Sequence, residues 1–133
     1  MKLDMLAFGA HPDDVELSCS GAILSYTTTG KTAGIIDLTR GEMGSRGTVA
    51  IRAAEAEAAR KILGCAIREN LGLADGLFEH NTASMMQVVT MIRKYQPDII
   101  FCNAPEDRHP DHGKASKLVE EAAFLSGLIK IET

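Results

Sequence analysis

The feature that most constrains the fold of this chain is an alternation, repeated four times, between apolar segments of strand length and segments with helical patterning. The first apolar segment, Leu3–Ala10, is nearly continuous, which is typical of a strand buried on both faces. Strands that alternate with helices predict a parallel sheet covered by helices on both sides. We therefore expect an α/β fold, a three-layer sandwich with a mainly parallel sheet, in a single domain over residues 1–133.

Turn and stop signals set the approximate bounds of these elements. Gly30 and Gly64 follow the first two helical segments, and Pro97 follows the third. Residues 127–133 look like the start of a further connection. The sequence predicts strands over residues 3–10, 32–39, 65–71 and 98–103, and helices over residues 15–29, 48–63, 82–95 and 111–128.

Charge and cysteine content exclude several classes of protein. The net charge of −4 gives no general attraction to nucleic acid or to anionic lipid. No apolar run is long enough to cross a membrane, and the N-terminus lacks a signal-peptide pattern. Cys19, Cys65 and Cys102 are widely spaced in apolar contexts, which favours buried, reduced thiols over a disulfide or a thiolate metal site. We expect a cytoplasmic protein with no nucleic-acid or membrane partner.

Two matching tetrapeptides hold three of the four histidines of the chain. Residues 11–14 are His-Pro-Asp-Asp, and residues 109–112 are His-Pro-Asp-His. Each follows a predicted strand and precedes a predicted helix. Ligands of open parallel sheets bind beyond the carboxyl ends of the strands, where the strand order reverses. If the first and fourth strands are neighbours, the two tetrapeptides meet there and form one site.

Helix capping is the structural alternative for the acidic residues of the first tetrapeptide. Asp13, Asp14 and Glu16 lie near a helix N-terminus, where negative charge is favoured. For Asp13 we weigh a cap and a functional role about equally, and for Glu16 we favour a cap or structural support. The three histidines in matching loops are harder to explain as caps.

Imidazole and carboxylate groups together bind divalent metals and move protons. Two histidine nitrogens and one carboxylate oxygen leave a coordination position open for water, which is the form of a catalytic zinc site and also suits Fe²⁺. The ligands not used by the metal would supply a general base, a general acid and an orienting carboxylate. Spacing does not choose among the five candidates for the three ligand places, which are His11, Asp13, Asp14, His109 and His112.

A polar, glycine-rich loop over residues 40–47 follows the second predicted strand. It would lie at the same edge of the sheet, so Arg40, Glu42 or Arg46 could face a substrate. A surface turn is the alternative, and we favour it for each residue taken singly. The glycine spacing does not match the phosphate-binding loops.

The two tetrapeptides and their flanking residues resemble a known family. The segments concerned are residues 10–16 and 107–112, together with residues 37–42, 47–52 and 70–71. They are similar to the LmbE-like N-acetylglucosaminyl deacetylases, which include the GlcNAc-phosphatidylinositol de-N-acetylases and the deacetylases of mycothiol and bacillithiol synthesis. The greatest likeness is to the branch that acts on N-acetylglucosaminyl-malate. The resemblance implies a Rossmann-like sandwich that removes the acetyl group of a small N-acetyl amino sugar.

The resemblance also implies a role for each polar residue of the first tetrapeptide and for the last residue of the second. His11, Asp14 and His112 would be the metal ligands, usually to Zn²⁺, with Fe²⁺ as the alternative. Asp13 would be the general base that takes a proton from the attacking water.

The remaining implied roles concern the leaving group and the sugar. His109 would stabilise the oxyanion or protonate the leaving amine, and Asp111 would orient it. Arg52 would contact the sugar hydroxyls or a distal acidic group.

Members of this family are longer than the present chain, and they commonly form oligomers. The resemblance therefore implies a homo-oligomer and a C-terminal portion that is absent here. The alternative to a deacetylase is a truncated, inactive domain that still binds metal or sugar. A third possibility, a structural domain whose tetrapeptides only cap helices, ranks below both.

Overall fold

The computed structural model describes residues Met1–Thr133 and contains four strands and four helices in strict alternation. The third helix has the predicted bounds, residues 82–95, and the observed bounds of the other elements agree with the predicted ones within a few residues. The elements are β1 (Met5–Gly9), α1 (Asp14–Thr27), β2 (Ala33–Thr39), α2 (Val49–Leu63), β3 (Ile67–Leu73), α3 (Thr82–Tyr95), β4 (Ile99–Phe101) and α4 (Pro110–Ser126).

All strand pairs in the sheet are parallel, and the strand order is β3-β2-β1-β4. The first and last strands are therefore neighbours, with Met5 beside Ile99 and Ala7 beside Phe101. After β1 the chain builds outward on one side through β2 and β3, and then returns to add β4 on the other side. The strand order thus reverses between β1 and β4, which is the arrangement that a site shared by the two tetrapeptides requires.

Two separate cores cover the two faces of the sheet. One contains Leu6, Phe8 and Ile36 from the strands, packed against α3 and α4. The other contains Met5, Ala7 and Ile35, packed against α1 and the end of α2. Side chains of a strand alternate between faces, so β1 contributes to both cores. The α/β three-layer sandwich predicted from the alternation is confirmed.

β3 begins later in the sequence than predicted, and β4 is shorter than predicted; each difference has a physical reason. Cys65 lies just after α2 and before β3, because its N–H closes the C-terminal cap of α2 by donating to Arg60 O at 3.0 Å, while Gly64 adopts a left-handed conformation with φ 74°. At β4, the N–H of Ala10 donates to the side chain of Asn103 at 2.9 Å instead of to a strand carbonyl. The backbone ladder therefore ends at Phe101.

The three cysteines are free thiols, as predicted. The expectation that all are buried is confirmed for Cys65 and wrong for Cys102, which is exposed just after β4, while Cys19 is partly buried. No helix has the length and apolar character needed to cross a membrane. The homo-oligomer stays a prediction.

Candidate metal centre

The two His-Pro-Asp tetrapeptides come together at the carboxyl ends of β1 and β4. Asn103 joins the two sides, because its Oδ1 accepts from Ala10 N–H at 2.9 Å and its Nδ2 donates to Asp14 Oδ2 at 3.2 Å. Asp14 Oδ2 also accepts from His11 N–H at 3.0 Å. These contacts hold the Asp14 carboxylate where residues from both loops converge on it.

Three donor atoms from the two loops are close enough to bind one metal ion. Asp14 Oδ2 lies 3.5 Å from His11 Nδ1 and 3.2 Å from His112 Nε2, and the three atoms form one compact group. Tetrahedral coordination with bonds of about 2.0–2.1 Å separates ligand atoms by about 3.3 Å. The two distances from Asp14 therefore fit zinc coordination.

A neighbouring carboxylate engages the second nitrogen of each of these imidazoles. His112 Nδ1 lies 2.6 Å from Asp107 Oδ2, and His11 Nε2 lies 2.8 Å from Asp111 Oδ2. Carboxylates at these distances accept the ring proton, which leaves the other nitrogen with its lone pair. Both lone pairs then face Asp14, itself an acceptor, so a cation or an extra proton must occupy the space between them.

The protonation equilibria of the group agree with such a site. Burial would lower the pKa of His11, but hydrogen bonds to Asp14 and Asp111 outweigh it and raise the pKa to about 9. Burial would likewise raise the pKa of Asp14, but hydrogen bonds from the ring and backbone of His11 lower it to about 2. In the metal-free protein a proton thus occupies the place of the cation.

Asp13 does not cap α1. It stands at the N-cap position with φ 99°, a left-handed conformation, and its side chain makes no capping hydrogen bond. Pro12 therefore lies outside the helix, whereas Pro110 begins α4 as expected for a proline in the first turn. The Asp13 side chain is 60% exposed and lies beside Arg52, with 3.7 Å between its Oδ2 and Arg52 Nη2. Partial burial raises the pKa of its carboxyl, as suits a group that accepts a proton.

His109 has a structural contact and a free nitrogen. Its Nδ1 accepts from Asp111 N–H at 3.1 Å and so caps α4. Its ring lies 4.7 Å from that of His11 and stacks 5.0 Å from that of His112, measured between ring centroids. Since Nδ1 is an acceptor, a neutral ring carries its proton on Nε2. His109 is thus a hydrogen-bond donor in the cleft.

Asp111 is fully buried and contacts both histidines in different ways. The sequence predicts that Asp111 orients His109, and the contact is made by the backbone amide instead of the carboxylate. Asp111 Oδ2 is occupied by His11 Nε2 and by Gly76 N–H at 2.9 Å. Asp111 Oδ1 has no hydrogen-bond partner, and only the charge of Lys114, 3.3 Å away, compensates it.

Arg52 connects the loops that follow β1 and β2. Its Nη2 donates to Pro12 O at 2.7 Å and its Nη1 to Gly41 O at 3.1 Å. Gly41 has φ 66°, and a Cβ there would overlap the Arg52 guanidinium, so this close approach requires glycine. Two donors of Arg52 are thus used on the protein, and its contact with a sugar stays a prediction.

A cleft of about 440 Å³ opens beside the donor group. The loop of residues 40–47 contributes Met43 and Gly44 to its wall, so this loop faces the site, although Arg40, Glu42 and Arg46 do not line the cleft. Sequence reasoning missed Asp75 and Gly76, which follow β3; the only available signal was their position after a strand. The predicted residues that line the cleft are His11, Asp13, Asp14, Arg52, His109 and His112.

Glu16 belongs to a buried ion network behind the site, which agrees with a supporting role. Arg68 Nη1 contacts Glu16 Oε2 at 2.9 Å, and Arg68 Nε contacts Asp37 Oδ2 at 2.7 Å. The Arg68 side chain is only 4% exposed. This network ties α1, β2 and β3 together beneath the cleft.

Fold and site together define a parallel α/β sandwich with a candidate three-ligand metal site at its topological switch point. Residues 6–123 match the PIG-L family, described as GlcNAc-PI de-N-acetylase. The chain belongs to this family, and the fold and motif resemblance found in the sequence is confirmed.

Individual relatives are similar over most of this chain. It is 31% identical over 134 residues to the diacetylchitobiose deacetylase of Thermococcus kodakarensis, covering 93% of this chain and 50% of that protein. It is 30% identical over 125 residues to a probable N-acetyl-α-D-glucosaminyl L-malate deacetylase 2 of Bacillus anthracis, covering 84% and 55%.

Among solved structures, the conserved protein TT1542 of Thermus thermophilus is 42% identical, with a TM-score of 0.92, covering 96% of this chain and 58% of that one. The chain spans about half the length of the two curated relatives.

Proposed function

We propose that this chain forms the metal-binding and catalytic part of a metal-dependent deacetylase that acts on an N-acetylglucosaminyl small molecule. The observation that supports it best is the convergence of His11, Asp14 and His112 on one point from two distant loops. Asp13 and His109 line the same cleft and do not belong to this three-atom group. The donor set fits Zn²⁺, with Fe²⁺ as the alternative.

A divalent metal held by these three residues would polarise the acetyl carbonyl and lower the pKa of a water toward ~7. Asp13 is the proposed general base, since its carboxylate is accessible in the cleft and no helix cap competes for it. Arg52, 3.7 Å from Asp13, keeps the carboxylate near the cleft mouth. The proton taken by Asp13 would then be available for the leaving amine.

His109 is the proposed stabiliser of the oxyanion. Its Nδ1 accepts from Asp111 N–H, so the neutral ring presents an Nε2 donor. A donor aimed at the carbonyl oxygen of a tetrahedral intermediate contributes roughly 10²–10³ in rate. Of the two roles inferred for His109, donation to the oxyanion agrees better with this contact than proton transfer to the amine.

The proposed substrate is an N-acetylglucosamine unit linked to an acidic group, of the N-acetylglucosaminyl-malate type. The similarity to the Bacillus anthracis protein supports this choice, whereas the similarity to the Thermococcus kodakarensis protein supports an N-acetylated disaccharide. Arg108 and Arg52 line the cleft and are the cationic side chains that would contact an acidic group.

The test is release of free amine from N-acetylglucosaminyl-malate and from diacetylchitobiose by zinc-loaded and iron-loaded protein. Asp13→Asn should reduce the rate by about 10²–10⁴ without loss of bound metal. Asp98→Asn, which removes an exposed carboxylate at the opposite end of the sheet, is the matched control and should be fully active.

Two results would contradict the proposal. If the metal-loaded chain binds one zinc ion per molecule and releases no amine, the non-catalytic metal-binding alternative is correct. If it binds no metal, and substitution of His11 or His112 changes nothing, the structural alternative is correct.

A further inference from the structure

We propose that Asp75 is a positioning residue whose single carboxylate connects the loop of residues 40–47 to the imidazole of His11. The inference rests on the proposed function only in treating His11 as a metal ligand. Asp75 follows β3, lies outside both tetrapeptides, and has a side chain that is only 8% exposed. A carboxylate buried to this degree requires strong partners, and Asp75 has them on two sides.

One oxygen of Asp75 faces the metal centre. Its Oδ1 lies 3.0 Å from His11 Nε2, the same nitrogen that Asp111 Oδ2 approaches at 2.8 Å. Gly76, the next residue along the chain, fixes Asp111 by donating its N–H to Asp111 Oδ2 at 2.9 Å. The turn at residues 75 and 76 thus holds the His11 ring both directly and through Asp111.

The other oxygen of Asp75 holds the loop that follows β2. Asp75 Oδ2 accepts from Met43 N–H at 2.8 Å. In the opposite direction, Asp75 N–H donates to Glu42 Oε2 at 2.9 Å. Two consecutive loop residues are therefore bonded to one residue of the β3 turn, and Met43 forms part of the cleft wall.

These contacts couple the wall of the cleft to the orientation of a metal ligand. A carboxylate is planar and rigid, so Asp75 cannot turn toward Met43 without weakening its ion-pair contact with His11, or toward His11 without weakening its hydrogen bond with Met43. Groups that hydrogen-bond a ligating histidine typically change metal affinity by about 10–100-fold when they are removed. Asp75 therefore makes metal affinity depend on the position of the 40–47 loop.

The test compares Asp75→Ala, which removes both contacts, with Asp75→Asn, which keeps the shape but has one acceptor oxygen. Two quantities are measured: the Zn²⁺ dissociation constant, by competition with a chelating dye, and the hydrogen exchange of the Met43 amide in metal-free protein. We expect Asp75→Ala to raise the dissociation constant by about tenfold or more and to accelerate Met43 exchange. Asp75→Asn should change at least one of the two.

Glu79→Gln is the matched control, because Glu79 is an exposed carboxylate of the same connection whose side chain contacts only Asn81, at 3.3 Å. It should leave both quantities unchanged. Glu42→Ala should accelerate exchange of the Asp75 amide with a smaller effect on zinc affinity. Circular dichroism checks that each variant folds. If Asp75→Ala does not fold, Asp75→Asn provides the measurement.

An unchanged zinc affinity in a folded Asp75→Ala variant overturns the link to His11, and unchanged Met43 exchange overturns the link to the loop. Wild-type protein that binds no zinc refutes the proposed function instead. In that case the ¹⁵N chemical shift of His11 Nε2 in metal-free protein replaces the affinity measurement. A shift that is the same in wild type and in Asp75→Ala then overturns the inference.

Discussion

Asp107 Oδ2 lies 2.6 Å from His112 Nδ1, and this contact determines which nitrogen of the imidazole faces Asp14. Hydrogen bonds from the His112 ring and the His109 N–H lower the pKa of Asp107, so it is a carboxylate at neutral pH. It therefore holds the His112 proton on Nδ1 and leaves Nε2 free to bind a metal.

Replacement of Asp107 by alanine should weaken Zn²⁺ binding by about 10–100-fold. The side chain of Asp107 is 38% exposed, so the fold should tolerate the change. The measurement is a zinc competition titration with a chelating dye. Glu106→Ala removes the adjacent exposed carboxylate and should bind zinc like the wild type; equal affinity in Asp107→Ala would contradict the assigned tautomer.

Asp13→Asn should separate stability from activity. Asp13 has φ 99° and makes no capping bond, and asparagine tolerates left-handed backbone well. We expect an unchanged or slightly higher Tm together with the loss of turnover described above. A marked fall in Tm would show that Asp13 has a structural role after all.

As the pH rises, the stability of the metal-free protein should fall, whereas the apparent affinity for zinc should increase. The pKa of His11 is raised from 6.5 to about 9 in the folded metal-free protein. Protonated His11 thus stabilises the fold below about pH 6.5, and this stabilisation is lost as the pH rises through about 9. Zinc must displace the same proton, so its apparent affinity should increase by about tenfold per pH unit over this window.

Thermal unfolding from about pH 6 to about pH 10, with and without zinc, measures both trends. His80→Gln serves as the control, because His80 pairs with Glu121 away from the proposed metal site. The variant should keep the pH dependence of Tm, both with and without zinc. A metal-free Tm that rises across the window between the two pKa values would contradict the assignment to His11.

Arg68→Met should destabilise the fold by about 3–5 kcal/mol, because it leaves a buried carboxylate without its partner. Asp37 is 3% exposed and contacts both Nε and Nη2 of Arg68. Urea denaturation of the wild type and the variant measures the free energy of unfolding of each. Lys2→Met breaks an ion pair between exposed side chains and should leave stability nearly unchanged, so an equal effect of the two variants would argue against the buried network.

The alternation of strands and helices was sufficient to predict the sheet, its parallel sense and the layers above and below it. Periodicity also identified the third helix with its observed bounds. It did not predict the end of β4, because that end depends on Asn103, whose side chain takes the place of a ladder bond. When a side chain replaces a backbone carbonyl as the hydrogen-bond partner, the hydrophobic periodicity of the sequence does not reveal it.

The candidate site was predictable to the extent that its residues occur in the tetrapeptides. Asp75 was missed because it is a single carboxylate in an otherwise ordinary turn, and only the fold brings it within 3.0 Å of His11. The neighbour of the Asp111 carboxylate could not be predicted for a related reason. The resemblance implies that Asp111 orients His109, and its N–H does contact that ring, whereas the strand order places His11 against its carboxylate.

The pairing of β1 with β4 means that the proposed metal site can form only after a long stretch of chain has closed into a loop. His11 and Asp14 follow β1, whereas His112 follows β4, and closing so long a loop is slow. The ion therefore cannot template the first steps of folding. Zinc uptake during refolding should instead report the moment at which β4 pairs with β1.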